Sequence, residues 1–324
     1  MFNNILENAG STPLVNVTMN ELENIKIFSK MEMFNPTGSV KDRAAMYTLK
    51  KLLEDGTINK DTIIIESSSG NFGLALAAAC RYYGLKFYCV IDKNIMPDNE
   101  RLIEVLSEKV FKVEEADAYG GYLLNRIKKV HSLKNEIANS YWINQYENPI
   151  NAESYYQTLG TEIVNSVEHI DFLFMGVSSG GTITGVSNKV KEKFPDAKVI
   201  AVDIEGSVIF CDKSGRRRIP GIGSSKYPKI LEKAQIDGHI IVSESETVKM
   251  CHYLFENMYI LAGGSSGSVM AGIVKYFTIN PVNSMKNVVT VFPDRGERYA
   301  GTIYNPDWYS SLLSKDKGEF ICYI

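Results

Sequence analysis

The chain has 324 residues, of which 44% are hydrophobic and 23% are charged, and its formal net charge is −3. This composition is typical of a globular protein long enough for two core-bearing domains. The small negative charge argues against nucleic acid or an anionic membrane as the main partner. No apolar run approaches the length of a membrane span, and the opening stretch MFNNILENAG lacks the features of a signal peptide. We therefore expect a soluble, cytoplasmic protein.

Predicted strands and helices alternate along most of the chain. Several strands are apolar on both faces, as strands of a buried parallel sheet are. The predicted strands are 62–67, 87–92, 109–114, 171–178, 199–204, 239–244 and 287–294. One predicted helix begins near Lys41, and the others span 72–84, 97–110, 183–194 and 266–277. The alternation predicts an α/β fold with doubly wound parallel sheets, and the number of strands predicts two domains.

Cysteine and histidine are scattered along the sequence. The five cysteines are odd in number and show no CxxC spacing, and the four histidines form no cluster. We therefore expect neither a disulfide framework nor a metal site.

The stretch NPTGSVKDRAAMYTLKKL (35–52) contains an unusually placed lysine. A turn runs directly into a helical pattern, and Lys41 falls in the first helical turn, where the helix dipole disfavours a cation. A lysine near a phosphate-binding pocket can form a Schiff base with an aldehyde cofactor. Pyridoxal 5′-phosphate (PLP) has both an aldehyde and a phosphate. For Lys41 taken alone, a solvated surface lysine is the more common alternative.

Three strand-to-helix junctions are rich in serine, threonine and glycine: ESSSGNFG (66–73), GVSSGGTITG (176–185) and LAGGSSGS (261–268). Such turns place free backbone N–H groups at a helix N-terminus, which makes an anion site. Small residues that merely permit a tight turn are the alternative for each junction. None matches GxxxxGK[ST] or GxGxxG, so a nucleoside triphosphate or a dinucleotide is not favoured.

Together these motifs resemble the fold-type II PLP enzymes of the cysteine synthase and cystathionine β-synthase group, over essentially the whole chain. The resemblance implies a tryptophan synthase β-like architecture. It also implies a smaller, mobile domain at 43–148 that binds the substrate carboxylate, and a larger domain at 1–42 and 149–324 that binds the PLP phosphate. Such an enzyme is expected to be a homodimer that acts on small amino-acid substrates.

The resemblance also assigns roles to residues. NPTGSVKDR resembles the Schiff-base motif, which makes Lys41 the PLP lysine and, once it is free, a general base. Asn71 would hydrogen-bond the 3′-oxygen of the cofactor, and Ser265 would face its pyridine nitrogen. The implied phosphate cradle consists of Ser178, Ser179, Gly180, Gly181 and Thr182. The implied binding residues for the substrate carboxylate are Ser68, Ser69, Gly70, Asn71 and Gln145.

Three departures from the cysteine synthase pattern bear on the substrate. Phe72 stands where a threonine is usual, Tyr146 where a phenylalanine is usual, and Ser178 where a glycine is usual. Together with the stretches 114–127, 141–151, 152–163 and 205–213, they resemble the N-(2-amino-2-carboxyethyl)-L-glutamate synthases. Those enzymes join O-phospho-L-serine to L-glutamate, through an aminoacrylate intermediate, on the way to 2,3-diaminopropionate in siderophore and antibiotic biosynthesis. By matching positions, Arg126, Tyr146 and Ser178 would recognise the phosphate of O-phosphoserine.

Several alternatives remain open from the sequence. A cysteine synthase or a cystathionine β-synthase-like enzyme would use a sulfur nucleophile, with O-acetylserine or O-phosphoserine. A regulatory protein could keep the fold without turnover, although Lys41 argues against that. Arg126 can instead be a surface arginine, Tyr146 a packing aromatic and Ser178 a turn residue. The run of Arg216, Arg217 and Arg218 can steer an acidic substrate, but such a run is more often solvated surface.

Overall fold

The fold is α/β with parallel sheets, as the sequence predicts. A computed structural model describes residues 3–116, 121–211 and 214–313, and in these ranges the strands form two separate sheets. The stretches 114–127 and 205–213 each include residues outside these ranges, and so does the end of the predicted larger domain. No helix in the described ranges is long and apolar enough to cross a membrane.

The strands and helices have the following bounds. The strands are β1 Leu14–Asn16, β2 Ile25–Met31, β3 Ile63–Ser67, β4 Lys86–Asp92, β5 Lys109–Val113, β6 Ser140–Trp142, β7 Phe172–Gly176, β8 Lys198–Ile204, β9 Gly238–Val242 and β10 Lys286–Phe292. The helices are α1 Lys41–Glu54, α2 Asn71–Tyr83, α3 Pro97–Leu106, α4 Leu123–Glu136, α5 Pro149–Tyr155, α6 Thr161–Ser166, α7 Gly181–Lys193, α8 Glu244–Met258, α9 Gly264–Ile279 and α10 Pro306–Leu313. A single π-helical segment, 156–160, joins α5 to α6.

The larger sheet has six strands in the order β1-β2-β10-β7-β8-β9, and the smaller has four in the order β5-β4-β3-β6. All neighbouring strands are parallel except β1, which pairs with β2 in the antiparallel direction. The smaller sheet is built only from the chain between Ile63 and Trp142. The exact domain limits at residues 43 and 148 stay a prediction.

All seven predicted strands occur, each within a few residues of its predicted bounds. The predicted helix 97–110 is wrong at its end, because Ser107 has an extended backbone and Lys109 begins β5. Strands β1, β2 and β6 were not predicted. Two of them, β1 and β6, are only three residues long, which is too short for a two-residue alternation to be visible.

A continuous hydrophobic core connects the two sheets. Leu76 and Phe87, which belong to the smaller-sheet side, lie in the same buried cluster as Leu173 and Val199 of the larger sheet. Helices that cover both sheets contribute to this cluster. The parallel sheets are therefore enclosed on their faces, as strands that are apolar on both sides require.

A buried ionic cluster fixes helix α1, which begins at Lys41. Arg43 is fully buried, and its Nε and Nη2 donate to the two carboxylate oxygens of the buried Glu32 at 2.6 and 2.8 Å. Its Nη1 donates to Glu162 at 2.7 Å. Such bidentate pairs are geometrically specific, and removing one partner would leave a buried charge unpaired. The cluster therefore holds the first turn of α1 in one position.

Candidate active site

A cavity of about 450 Å³ lies at the carboxyl ends of β3, β4, β7 and β10. This is the edge where open α/β sheets bind ligands. The predicted site residues that line the cavity are Lys41, Ser68, Ser69, Gly70, Asn71, Arg126, Gln145, Tyr146, Ser178, Ser179, Gly180, Thr182 and Ser265. Only Gly181 among the predicted residues is not in the lining, and it lies between two residues that are. The fold thus brings the predicted site together.

Lys41 is the first residue of α1, and its amine faces the cavity. The Nζ atom lies 3.4 Å from Ser179 Oγ and 6.0 Å from the centre of the Phe72 ring. Desolvation lowers the pKa of Lys41 to about 8, against a smaller opposing effect of the Asp294 carboxylate. An amine with this pKa is partly neutral near pH 7, which is the form that attacks a carbonyl group.

Asp294 is the centre of a buried hydrogen-bonded cluster beside the cavity, which the sequence did not predict. Its Oδ2 accepts hydrogen bonds from Asn71 Nδ2 at 2.7 Å and from the Tyr299 hydroxyl at 2.8 Å. Arg298 donates to Asn71 Oδ1 and to the Thr37 carbonyl. Burial raises the pKa of Asp294, while Asn71 and the Arg298 charge lower it. The available signal was the stretch VFPDRGERY, in which charged residues directly follow a predicted strand.

Three helices begin at the cavity, and each follows a glycine: Gly70 before α2, Gly180 before α7 and Gly263 before α9. Glycine has no side chain to cap the N–H groups of the first turn, which favours an anion there, although in α2 the Gly73 N–H already donates to Ser68 Oγ. Gly180 is left-handed, with φ of 84°, and a Cβ at Gly181 would lie 2.5 Å from Asn151 Nδ2. The start of α7 therefore requires glycine at both positions.

The residues implied to hold a substrate carboxylate lie in the loop between β3 and α2 and close to it. Ser68 Oγ accepts a hydrogen bond of 3.0 Å from the Gly73 N–H, and so it also shapes the loop. Gln145 Nε2 donates to the Ser67 carbonyl at 3.4 Å. Ser69 Oγ donates to Asp92 Oδ2 at 2.8 Å. The loop is thus held in shape by its own hydrogen bonds, with the N-terminus of α2 facing the cavity.

Arg126, Tyr146 and Ser178 line the same cavity. Arg126 Nη1 donates to Ser69 Oγ at 3.0 Å, and its Nε lies 3.3 Å from Asp92 Oδ2. Ser178 Oγ donates to the Gly223 carbonyl at 3.1 Å. Burial raises the pKa of Tyr146, and the positive charge of Arg126 opposes that effect. Arg126 is therefore an inward-facing residue and not a surface arginine.

The three consecutive arginines have different environments. Arg216 is exposed to solvent. Arg218 Nε pairs with Glu244 at 2.9 Å, and its guanidinium lies 5.6 Å from the centre of the Trp308 ring. Arg217 and Arg218 both line the cavity. The run is therefore not uniformly solvated.

Comparison with known families matches residues 5–294 to the family described as pyridoxal-phosphate dependent enzyme. The chain is similar to an O-acetylserine dependent cystathionine beta-synthase from Helicobacter pylori, with 31% identity, coverage of 94% of this chain and 99% of that one, and a TM-score of 0.87. A hydrogen sulfide-producing enzyme from Fusobacterium nucleatum has 26% identity, coverage of 92% and 100%, and a TM-score of 0.85. An O-ureido-L-serine synthase has 24% identity, coverage of 98% of both chains and a TM-score of 0.86, and shares the fold.

The cavity fits PLP. Three features of one cavity match parts of this cofactor. They are the desolvated amine of Lys41, the uncapped start of α7, which only glycine can form, and the buried Ser265 on α9. Lys41 would bind the aldehyde carbon, the first turn of α7 the phosphate, and Ser265 the pyridine nitrogen. PLP supplies an electron sink for bonds at the α-carbon of an amino acid. Within the described residues, no group of three or more histidine, cysteine or acidic side chains could hold a metal ion.

Proposed function

We propose that this chain, which belongs to the family of pyridoxal-phosphate dependent enzymes, replaces the phosphate of O-phospho-L-serine with L-glutamate. The C–O bond at the β-carbon breaks, phosphate leaves, and a C–N bond forms to the glutamate nitrogen. The product is N-(2-amino-2-carboxyethyl)-L-glutamate, a precursor of 2,3-diaminopropionate. The chain is a PLP-dependent β-replacement enzyme of the cysteine synthase and cystathionine β-synthase family, and the proposed reaction is of that type.

The observation that carries the proposal is the set of three polar donors that line one cavity. Arg126, Tyr146 and Ser178 provide a guanidinium, a phenol and a hydroxyl in the cavity that Lys41 faces. The Nη1 atom of Arg126 donates to Ser69 Oγ, and its Nε lies 3.3 Å from Asp92 Oδ2. A leaving phosphate dianion can accept hydrogen bonds from all three donors, whereas acetate carries less charge and needs fewer donors. These three donors therefore favour a phosphate leaving group over acetate.

The other residues of the cavity have supporting roles in this proposal. The first turn of α2, with Ser69, Asn71 and Gln145, would bind the carboxylate of O-phosphoserine, since the N-terminus of a helix stabilises an anion. Lys41 Nζ would take the proton from the α-carbon of the substrate, because its lowered pKa leaves the amine partly neutral near pH 7. Closure of the smaller domain would exclude water from the cavity.

A second candidate is favoured by one comparison. The Helicobacter pylori structure at 31% identity is described as an O-acetylserine dependent cystathionine beta-synthase. On this alternative the enzyme would use O-acetylserine with a sulfur nucleophile. Arg126 would then serve mainly to hold Ser69 and Asp92 in place.

The two candidates differ in both substrates, so one matrix of reactions separates them. The purified enzyme with PLP is incubated with O-phosphoserine or O-acetylserine, each with glutamate, sulfide or homocysteine, and products are identified by mass spectrometry. We expect the fastest turnover with O-phosphoserine and glutamate, with one phosphate released per product. Faster turnover of O-acetylserine with sulfide or homocysteine would replace this proposal by the alternative.

We also propose that the enzyme acts as a cytoplasmic homodimer, as the family resemblance implies. Light scattering coupled to size-exclusion chromatography gives the mass directly. A mass near that of a single 36.2 kDa chain would contradict the homodimer.

A further inference from the structure

A second recess of about 160 Å³ adjoins the main cavity. Arg126, Tyr146 and Arg217 line both spaces. The recess therefore continues from the part of the cavity that is proposed to bind the leaving phosphate. Tyr122 and Ser225 line the recess but not the main cavity. A ligand that reaches the cavity can therefore extend one end into this recess.

Neutral groups hold the guanidinium of Arg217. Its Nη1 donates to the Ile222 carbonyl at 3.3 Å, and its Nη2 donates to Ser225 Oγ at 2.8 Å. Its Nε is buried and has no hydrogen-bond partner. A Cβ at Gly223, where φ is 71°, would lie 2.6 Å from Arg217 Nη1. The glycine therefore provides the space in which the guanidinium lies.

Arg217 differs from its neighbours in charge compensation. Arg126 lies within ion-pair distance of Asp92, and Arg218 pairs with Glu244. Among the residues that the structure describes, no carboxylate forms an ion pair with Arg217. Asp203 and Glu244 are near enough to favour its charged form, but desolvation is the larger effect and lowers its pKa. A half-buried cation of this kind is stabilised when a ligand brings an anion.

We propose that Arg217 binds the side-chain carboxylate of the acidic second substrate, and that the recess is the glutamate subsite. This inference rests on the proposed function, because it assigns a binding residue to the nucleophile of that reaction. The amino group of glutamate lies in the main cavity, and the side chain extends toward Arg217. The enzyme thereby prefers glutamate to the neutral glutamine.

The test compares Arg217→Gln with the matched control Arg216→Gln, since Arg216 is adjacent but exposed. Two quantities are measured on PLP-loaded enzyme: kcat/KM for glutamate and for glutamine, and the single-turnover release of phosphate from O-phosphoserine without an acceptor. We expect Arg217→Gln to lower kcat/KM for glutamate by roughly 10–100-fold, the loss typical of a charge-assisted hydrogen bond. In Arg217→Gln, kcat/KM for glutamine and the rate of phosphate release stay within about twofold of wild type, a change well below that loss. In Arg216→Gln, kcat/KM for glutamate also stays within about twofold of wild type.

Arg217→Lys is the second variant, for use if Arg217→Gln does not fold. It keeps the charge without the planar fork, so it retains an intermediate preference for glutamate. An unchanged preference in the variants overturns the assignment of Arg217. Slower phosphate release places Arg217 at the leaving group and also overturns it. A wild-type enzyme that makes no product with glutamate refutes the proposed function itself, and the subsite with it.

Discussion

Asn71 Nδ2 donates a hydrogen bond of 2.7 Å to Asp294 Oδ2. The bond joins the start of α2, beside the smaller sheet, to the segment that follows β10 in the larger sheet. Lys41 lies in the same cavity, and the Asp294 carboxylate favours the charged form of its amine. Asp294 thus influences both the loop proposed to bind substrate and the proposed PLP lysine.

This relationship predicts the effect of Asp294→Asn on Lys41. The substitution removes the negative charge that stabilises the ammonium form, so the pKa of Lys41 falls further below about 8. The pH midpoint for the rate of PLP attachment, followed by visible absorbance after PLP is added to the apo-protein, moves to lower pH. Asp307→Asn, at an exposed position, is the control. A midpoint that stays in place or rises would contradict the coupling.

The second prediction concerns the site of covalent attachment. Borohydride reduction of the PLP-loaded protein, followed by peptide mass spectrometry, locates PLP on Lys41, because its amine is desolvated and faces the cavity. Lys41→Ala gives no reduced adduct and no visible absorbance from attached PLP. Lys50→Ala, on the exposed face of the same helix, behaves as wild type. An adduct on another lysine, or one that persists in Lys41→Ala, would refute the assignment.

The sequence predicted those parts of the fold and site that depend on local pattern. The strands of the two parallel sheets are apolar on both faces, and Lys41 opens a helix beside glycine-rich turns. The Asn71–Asp294 contact was not predictable, because the two residues are 223 positions apart and a charged segment after a strand also suits a solvated turn. Three consecutive arginines are equivalent in the sequence, and only the fold determines that Arg217 and Arg218 line the cavity while Arg216 is exposed.

The third prediction concerns the start of α7. In Gly181→Ala the new methyl group would lie 2.5 Å from Asn151 Nδ2, which itself donates to the Gln145 carbonyl at 2.6 Å. Because Asn151 is buried and held by that bond, we expect the first turn of α7 to shift and to distort the proposed phosphate site. We expect PLP affinity to fall by at least about tenfold, or 1.4 kcal/mol, in an equilibrium titration. Gly301→Ala is the control, since nothing lies within 4 Å of the added atom. Unchanged PLP affinity in Gly181→Ala would argue against this phosphate site.

The fourth prediction concerns Glu66, a fully buried carboxylate in β3. Burial raises the pKa of Glu66 from 4.5 to about 7. The folded protein therefore holds this proton at pH values where the unfolded chain has released it. Stability falls as pH rises from 4.5 to about 7, and the loss is complete above that range.

Glu66→Gln mimics the protonated form and removes this dependence. We expect its free energy of unfolding to exceed that of wild type by roughly 2–3 kcal/mol at pH 8, with little difference near pH 4.5. Urea denaturation at a series of pH values measures the difference. Glu54→Gln, at an exposed position, should show no such trend. A difference between Glu66→Gln and wild type that does not grow with pH would show that Glu66 titrates normally.

The last prediction concerns the leaving group. Arg126 Nη1 donates to Ser69 Oγ, its Nε lies 3.3 Å from Asp92 Oδ2, and the side chain lines the cavity. A departing phosphate gains charge as the C–O bond breaks, so a guanidinium aimed at it stabilises the transition state more than the bound substrate. Arg126→Gln should therefore lower kcat/KM for O-phosphoserine by about 10²–10³, which corresponds to roughly 2.7–4 kcal/mol.

The same variant separates leaving-group recognition from a structural role. If Arg126 acts on the phosphate, turnover of O-acetylserine and the affinity for PLP change little in Arg126→Gln, because neither involves a phosphate leaving group. If Arg126 only holds Ser69 and Asp92 in place, both substrates lose activity together, since the carboxylate loop that binds them is shared. Arg101→Gln, on an exposed face of α3, controls for the loss of a positive charge. Stopped-flow measurement of the first half-reaction with each substrate gives the two rates, and equal losses would reject the phosphate assignment.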